Sequence, residues 1–390
     1  MHSPTTRLAR FSRYLHRNFI WFLLGSYGVA AVAPQAGLAI KDVSLGHLDY
    51  FGEHIHLSLP MLLLALLLLN AGLGVQTSQL RLLLRRPWIL AAGLFANLFL
   101  PIAYIFVVSR TMRLWHNPEE VQYILVGLAL VAAMPIAGSS TAWTQNANGD
   151  LTLSLGLVLL STLFSPLTTP LTFDFVEHMA EGRYARALDA LETQGGGAFL
   201  IVCVILPSLL GIVLRPIIGE ARNRAAKPTL KLLNSINLLV LNYSNASVSL
   251  PKAIANPDWD FLAVTLIIVV GMCFFAFLSG WLLSLLFRAE LAQKASLMFG
   301  LGMNNNGTGL VLATMALSHF PNVMLPIIFY NLVQHIMAGS VDFLMFRRVD
   351  QDCPQLLEKE LPTSQAIGYE EPSVAPPFPV GDPQVDGRTR

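Results

Sequence analysis

Ten long stretches of this chain are almost free of charge, and that feature leaves few folds open to it. They run over 18–32, 57–75, 88–109, 121–146, 151–173, 198–218, 229–250, 262–287, 292–317 and 324–346. A helix needs roughly 20 apolar residues to cross about 30 Å of hydrocarbon. Within the blocks the apolar residues lack the period of two of a half-buried strand and the one-sided stripe of a soluble helix. Inside a bilayer every backbone N–H and C=O needs a partner from the protein itself, which leaves only helices and closed barrels. Blocks of this length select helices, so the reading is an all-α polytopic membrane protein with ten transmembrane helices and the lipid bilayer as its solvent. The composition agrees, with 54% hydrophobic and only 13% charged residues.

Ten crossings place both termini on one side, and the basic residues say which. Arg7, Arg10, Arg13, Arg17, Arg81, Arg85, Arg86, Arg215, Arg222, Arg224, Lys227, Lys231, Arg288, Lys294, Arg347 and Arg348 fall on the side of the amino terminus. The opposite loops hold only Lys41, Arg110, Arg113, Arg183, Arg186 and Lys252. Cytoplasmic loops carry the positive excess, so both termini are expected in the cytoplasm and the protein in the cell membrane. Residues 1–17 read as a basic cytoplasmic or interfacial segment, with 7–19 suited to an interfacial helix rather than a cleaved leader. Residues 18–346 form the transmembrane domain, and 349–390, rich in Pro, Glu, Ser and Gly, read as a disordered cytoplasmic tail. A short amphipathic helix is expected around 184–191, inside the polar loop 177–197.

The net charge of +1, with no basic stripe and interleaved aromatics, excludes a nucleic-acid surface. Cys203, Cys273 and Cys353 are widely spaced and read as small buried hydrophobes rather than a disulfide framework or metal site. No nucleophile, base and orienting group stand in a recognisable pattern. An enzyme is not expected, nor a cofactor.

Two blocks differ from the rest. The fourth contains Pro135, Gly138, Ser139, Ser140, Thr141, Thr144, Gln145 and Asn146, with Asn148 and Gly149 just after it; the ninth contains Gly300, Gly302, Asn304, Asn305, Asn306, Gly307, Thr308 and Gly309. An unpaired backbone group in hydrocarbon costs several kcal/mol, so non-helical chain at that depth survives only inside protein or beside a water-filled cavity. Half-helix amino termini turn positive dipole ends inward, and freed carbonyls and amides offer oxygens to a cation. The fourth block is fourth of the first five and the ninth is fourth of the second five, which gives two five-helix repeats, 18–173 and 198–346, of inverted topology. Matching interruptions in two halves point to a transporter's binding site. The substrate-binding candidates are Ser139, Asn146, Asn305, Asn306, Thr308 and His335, the one titratable residue well inside a block. Asn70, Asn242, Tyr243, Asn245, Asn331 and Gln334 either face a cavity or join helices.

At these residues the chain resembles the bile acid:sodium symporter family over roughly 18–346. Ser140 and Thr141, followed by Gly149, Leu153 and Ser154, resemble its broken helix. Ser161, Thr162, Leu163, Ser165 and Pro166 resemble the Ser-Thr-Leu-x-Ser-Pro run after it. Gly302, Met303, Asn304 and Asn305 resemble its Gly-Met-Gln-Asn signature, and His335 with Gly339 its last-helix motif. Arg85, Arg86 and Pro87, after 72–75, resemble its second-to-third helix loop. The resemblance implies ten helices in two inverted repeats, a panel and a core domain, and broken helices that cross in the core with the substrate between domains. It implies sodium as the co-transported ion, held by Ser140, Thr141 and Ser154 at one site and by Leu301, Met303 and Asn304 at another, with Asn97 near a further ligand position. Two positions depart from the pattern: the family's glutamate falls on Gly300 and a threonine ligand on Val158.

The expected function is secondary transport of a small organic anion by alternating access. A sodium-independent or proton-linked carrier of the same fold, and a non-transporting receptor, stand beside it as alternatives.

Overall fold

The computed structural model describes residues 14–15, 18–50, 53–75, 87–193 and 196–347. The basic segment before residue 14, the loop with Arg81, Arg85 and Arg86, and the tail with Cys353 lie outside the described residues. The chain is mostly helical: α1 (Phe19–Val32), α2 (Gln35–Asp42), α3 (Leu59–Gly74), α4 (Pro87–Thr111), α5 (Pro118–Ala132), α6 (Ser139–Asn146), α7 (Leu151–Glu177) and α8 (Gly182–Thr193) form the first half. The second half holds α9 (Gly197–Ile218, with a π turn at Ile201–Ile205), α10 (Glu220–Ala246), α11 (Leu250–Ala255), α12 (Trp259–Leu286), α13 (Leu291–Gly302), α14 (Asn306–Ala316) and α15 (Met324–Val341). The last runs on into a π turn, Asp342–Arg347.

Each of the ten apolar blocks falls on one of these helices or on a broken pair. Among the described residues, α4, α7, α9, α12 and α15 with their flanking turns are long and apolar enough to cross a membrane alone. The pair α1 and α2, bent by 93°, makes a sixth. The fourth and ninth blocks split into α5 with α6 and α13 with α14, each half too short alone. Helix α10 begins at Glu220 rather than 229, since a helix can continue past the apolar block into polar sequence. Local signals fix several starts: Asp150 accepts from the N–H groups of Thr152 (2.9 Å) and Leu153 (3.1 Å), and Asn117 caps α5 ahead of Pro118. The loop helix α8 extends to both sides of 184–191 and buries Tyr184, Leu188 and Leu191 along one face.

The all-α expectation needs one correction. Strands β1 (Ser44–Tyr50) and β2 (Glu53–Ser58) pair antiparallel, with His47 opposite His56, Leu48 opposite Ile55 and Asp49 opposite His54. The polar/apolar alternation in His47–Tyr50 and His54–Leu57 has the strand period of two, but charged and histidine-rich runs this short read as loop in a membrane chain.

The helices sort into two groups by packing. Helices α1, α3, α9 and α10 form one group. In it α3 and α9 approach so closely that a Cβ on Gly72 would stand 2.1 Å from the Ser208 carbonyl oxygen, and one on Gly211 2.2 Å from that of Leu69. The other group holds α4, α7, α12 and α15 around the two broken helices. Three of the four half-helices are innermost: nearly every side chain of α5, the second half of α13 and most of α14 is buried, whereas α6 buries only Ser140 and Thr144. An element apolar all round belongs at the centre of a bundle, and that is where unwound chain is shielded from lipid.

Candidate functional site

The two interruptions meet. Helix α5 ends at Ala132 and α13 at Gly302, and the chains beyond them run antiparallel, with Ile136 bridged to Asn304. The Ala137 N–H donates to the Met303 carbonyl (2.8 Å) and the Asn305 N–H to the Pro135 carbonyl (2.8 Å). Neighbouring side chains satisfy the other freed groups. The Ser161 hydroxyl accepts from the Ile136 N–H (3.1 Å), and Thr169 donates to the Ala133 carbonyl (2.6 Å). Asn304 Nδ2 donates to the Val131 carbonyl (2.9 Å), and the Asn304 N–H to Gln334 Oε1 (3.0 Å). Unwinding is thus tolerated because these backbone groups find partners within the crossing.

The crossing also gathers four helix ends. The amino termini of α6 and α14 and the carboxyl termini of α5 and α13 lie next to it in the chain, so partial positive and partial negative ends stand beside one another. Asn305 caps α14, its Oδ1 accepting from the Thr308 N–H (3.4 Å). The turn after α6 is docked onto α13: the Asp150 N–H donates to the Ala292 carbonyl (2.9 Å), and Ser296 donates to the Asp150 carbonyl (2.7 Å).

Against this well-paired backbone, several side-chain polar atoms are buried without a partner. On the broken helices and α7 they are the hydroxyls of Ser140, Thr144 and Ser154, Asn304 Oδ1, both polar atoms of Asn306, and the Thr308 hydroxyl; others lie on α10 and α12 and before α11, at Asn237, Asn245, Ser249 and Thr265. A buried polar group left unpaired costs about 1–3 kcal/mol, and native structures hold few of them. The first set provides hydroxyl and amide oxygens, which suit a hard monovalent cation, and one amide donor, which suits a carboxylate or carbonyl. Ser140, Ser154, Asn304, Asn306 and Thr308, all expected from the sequence, belong to it. Helix α6 packs against both α7 and α13, which draws Ser140 and Ser154 onto elements adjoining the crossing.

The remaining candidates have other surroundings. Thr141 is half-buried and donates to the Gly138 carbonyl (2.7 Å). Leu301 and Met303 are buried, and the Met303 carbonyl already accepts the bond from Ala137. Asn97 is half-buried on α4, and Ser139 half-buried at the start of α6. Asn146 is exposed at the far end of α6, roughly 10 Å along the axis from Ser139 at 1.5 Å per residue. His335 is buried, edge-on to the Phe19 ring (centroids 6.0 Å apart). Among the weaker candidates, Asn70 donates to the Leu230 carbonyl (3.2 Å) and Tyr243 to that of Ala33 (2.6 Å), so both join helices. Thr144, not a candidate from the sequence, lies within the polar run 139–146, and Gln334, one of the weaker candidates, adjoins His335 on α15.

Gly300 is buried, and a Cβ there would stand 3.0 Å from Leu157 Cδ1; the same leucine reaches Gly93 of α4. The space beside Gly300 is filled by hydrocarbon. Among the described residues no lysine or arginine is buried, so a bound anion would be balanced by helix ends, amides and a co-bound cation.

The description of the Sodium Bile acid symporter family matches residues 61–254. The chain is 25% identical over 281 residues to the uncharacterized sodium-dependent transporter YocS of Bacillus subtilis, covering 71% of this chain and 79% of that protein. It is 26% identical over 226 residues to the uncharacterized protein YbaS of the same organism, covering 57% and 69%. It is 25% identical over 300 residues to the probable sodium/metabolite cotransporter BASS1, chloroplastic, of Arabidopsis thaliana, covering 76% and 67%.

Proposed function

Since the chain belongs to the sodium bile acid symporter family, whose members are transporters and not enzymes, we propose that it is a sodium-coupled secondary transporter that moves a small organic anion by alternating access. In this reading ten helices form two inverted repeats in the cell membrane, with both termini cytoplasmic. The two helix groups are the panel and the core, and the substrate lies between them.

The observation that carries the reading is the crossing: two unwound segments with paired backbones, surrounded by buried side-chain oxygens that lack partners. Sodium would be held by Ser140, Ser154 and Asn304 through side-chain oxygens, with Thr141, Leu301, Met303 and Asn97 in supporting positions. The carboxylate of the substrate would meet the amino-terminal ends of α6 and α14, with Ser139, Asn305, Asn306 and Thr308 at those ends. Asn146 lies at the far end of α6, and His335 on α15. The names of YocS and BASS1 agree with sodium coupling and with a metabolite as cargo.

A second reading, the same carrier without sodium, is favoured by the Leu157–Gly300 contact. A carboxylate next to a monovalent cation in a partly buried site is worth on the order of several kcal/mol, and here a leucine fills that space. Uptake of a panel of radiolabelled organic acids into proteoliposomes separates the two. Uptake that an inward sodium gradient drives and potassium does not supports the first reading. Equal uptake under both leaves the second, and no uptake of any acid under either removes both.

A further inference from the structure

One buried chain of side chains runs from the crossing to the other helix group. Asn304 at the crossing, Gln334 and Asn331 on α15, Asn242 on α10 and Tyr27 on α1 are all buried. The Asn304 N–H donates to Gln334 Oε1 (3.0 Å), and Gln334 Nε2 donates to Asn331 Oδ1 (3.3 Å). Asn331 Nδ2 donates both to the Tyr27 hydroxyl (2.7 Å) and to Asn242 Oδ1 (2.9 Å). The Tyr27 hydroxyl donates to Asn242 Oδ1 (3.2 Å), and Asn242 Nδ2 to the Leu238 carbonyl (2.8 Å).

The direction of this chain is fixed. A backbone N–H only donates, so Gln334 must turn its oxygen to Asn304 and its NH₂ to Asn331. Asn331 must then accept with its oxygen and donate with its nitrogen. At the far end the Leu238 carbonyl only accepts, which sets Asn242 the same way. No amide flips alone without placing two donors or two acceptors face to face in a buried setting, where an unpaired polar group is costly. The four side chains of Gln334, Asn331, Asn242 and Tyr27 and the Asn304 backbone are therefore constrained to act as a unit, and the Asn331 junction is where that unit passes from one helix group to the other.

We propose that Gln334 is a positioning residue: it holds the Asn304 backbone, and with it the bare Asn304 Oδ1, in register with α1 and α10 through Asn331, Asn242 and Tyr27. Its sodium-related part rests on the reading of Asn304 as a cation ligand. Any displacement of α1 and α10 against α15 breaks the Asn331 junction, and the loss passes along the polarised chain to Asn304. Conversely, a cation on Asn304 Oδ1 stiffens the unit and favours the intact junction.

The test is a double-mutant cycle on the full-length protein, Tyr27→Phe against Gln334→Met, with Asn331→Asp as a second variant. Asn331→Asp keeps the acceptor for Gln334 and, with at most one O–H in place of an NH₂, removes at least one of the two donations across the boundary. In potassium buffer without sodium, thermal unfolding reads the unit by itself. The double variant is expected to melt no lower than the worse single variant, and additive losses overturn the proposal whatever sodium does. In a sodium titration of the melting temperature, Tyr27→Phe and Asn331→Asp are expected to raise the half-saturating concentration roughly two- to thirty-fold. Tyr27 reaches the nearest proposed cation ligand, Asn304, only through Asn331 and Gln334, so a merely structural role for it leaves that midpoint in place. An unchanged midpoint overturns the coupling to Asn304. Non-additive losses in a protein that shows no sodium response at all support the unit and remove the cation reading instead.

Discussion

Replacing Ser154 by alanine separates a ligand from a packing residue. The Ser154 side chain is fully buried, and its hydroxyl has no hydrogen-bond partner. Deleting the oxygen removes an unpaired polar group that costs about 1–3 kcal/mol and leaves a void near the size of a methyl group, which costs about 1 kcal/mol. The net effect in sodium-free buffer is therefore between no change and a gain of about 2 kcal/mol. In sodium the variant loses about 1.3 kcal/mol of stabilisation relative to the wild type. At a concentration one hundred times the dissociation constant, a bound ion stabilises the native state by about 2.7 kcal/mol. A tenfold weaker site at the same concentration gives about 1.4 kcal/mol by the same relation. The assay is thermal unfolding followed by a thiol-reactive dye, since Cys203 and Cys273 are buried free thiols that report on opening. At about 2 °C per kcal/mol for a large chain, the sodium-induced rise in Tm is expected to fall from about 5 °C to about 3 °C. If Ser154→Ala instead loses more than about 1 kcal/mol in potassium and keeps the full sodium increment, Ser154 is a packing residue and the cation assignment on α7 is wrong.

Ser161→Ala takes the acceptor away from the buried Ile136 N–H and is expected to cost about 1–3 kcal/mol, read as a lower Tm in both sodium and potassium. Gly211→Val puts atoms where the Leu69 carbonyl stands 2.2 Å from the Cβ position; overpacking of this kind costs about 1–3 kcal/mol or more, and it lowers Tm and the yield of folded protein. On the loop side of α5, Glu119 accepts from the hydroxyls of Tyr184 (2.9 Å) and Tyr123 (3.0 Å) and pairs with Arg183. The Tyr184 bond first, then those from Tyr123 and Arg183, hold its carboxyl below the usual range. A depressed carboxylate stabilises the fold above its unfolded value and loses that contribution as pH falls through the folded one. The Tm difference between wild type and Glu119→Gln is thus present at pH 7, below about 1 kcal/mol in size for an exposed pair, and closes in acid; a difference that grows in acid would refute the assignment.

The breaks in the fourth and ninth blocks were legible because membrane depth makes polar, flexible sequence conspicuous. Pro135 and Gly138 in one block, and Gly302 with three asparagines in the other, have few reasons to be there except to unwind the chain. What the sequence hid was pairing. That Ile136 bridges Asn304, or that Ser161 serves Ile136, depends on contacts between distant segments that no local pattern records. Asn242, Asn331 and Gln334 looked like isolated polar residues because each has its partners on another helix or across a turn. The hairpin of β1 and β2 was missed because its alternation is short and its polar positions are histidine and aspartate, which in an apolar chain look like an ordinary loop.

The three consecutive asparagines show how a uniform sequence resolves into different chemistry. Asn304 follows an extended residue, with φ and ψ at Met303 of −129° and 112°, and its backbone N–H and side-chain amide go to different neighbours, Gln334 and Val131. Asn305 turns the chain: its N–H returns to Pro135 and its side chain folds forward to cap α14. Asn306 is the first helical residue; its backbone N–H bonds to the Asn304 carbonyl (2.9 Å), and its side chain is buried with neither polar atom paired. Of the three, only Asn305 uses the short reach of its side chain to bond nearby backbone. The first two are already engaged in holding the crossing, although Asn304 keeps one oxygen bare. Asn306 contributes nothing to that architecture and adds an unpaired amide to its centre. A residue that destabilises the element it belongs to, at the positive end of a helix dipole, is where binding energy from a ligand has most to gain.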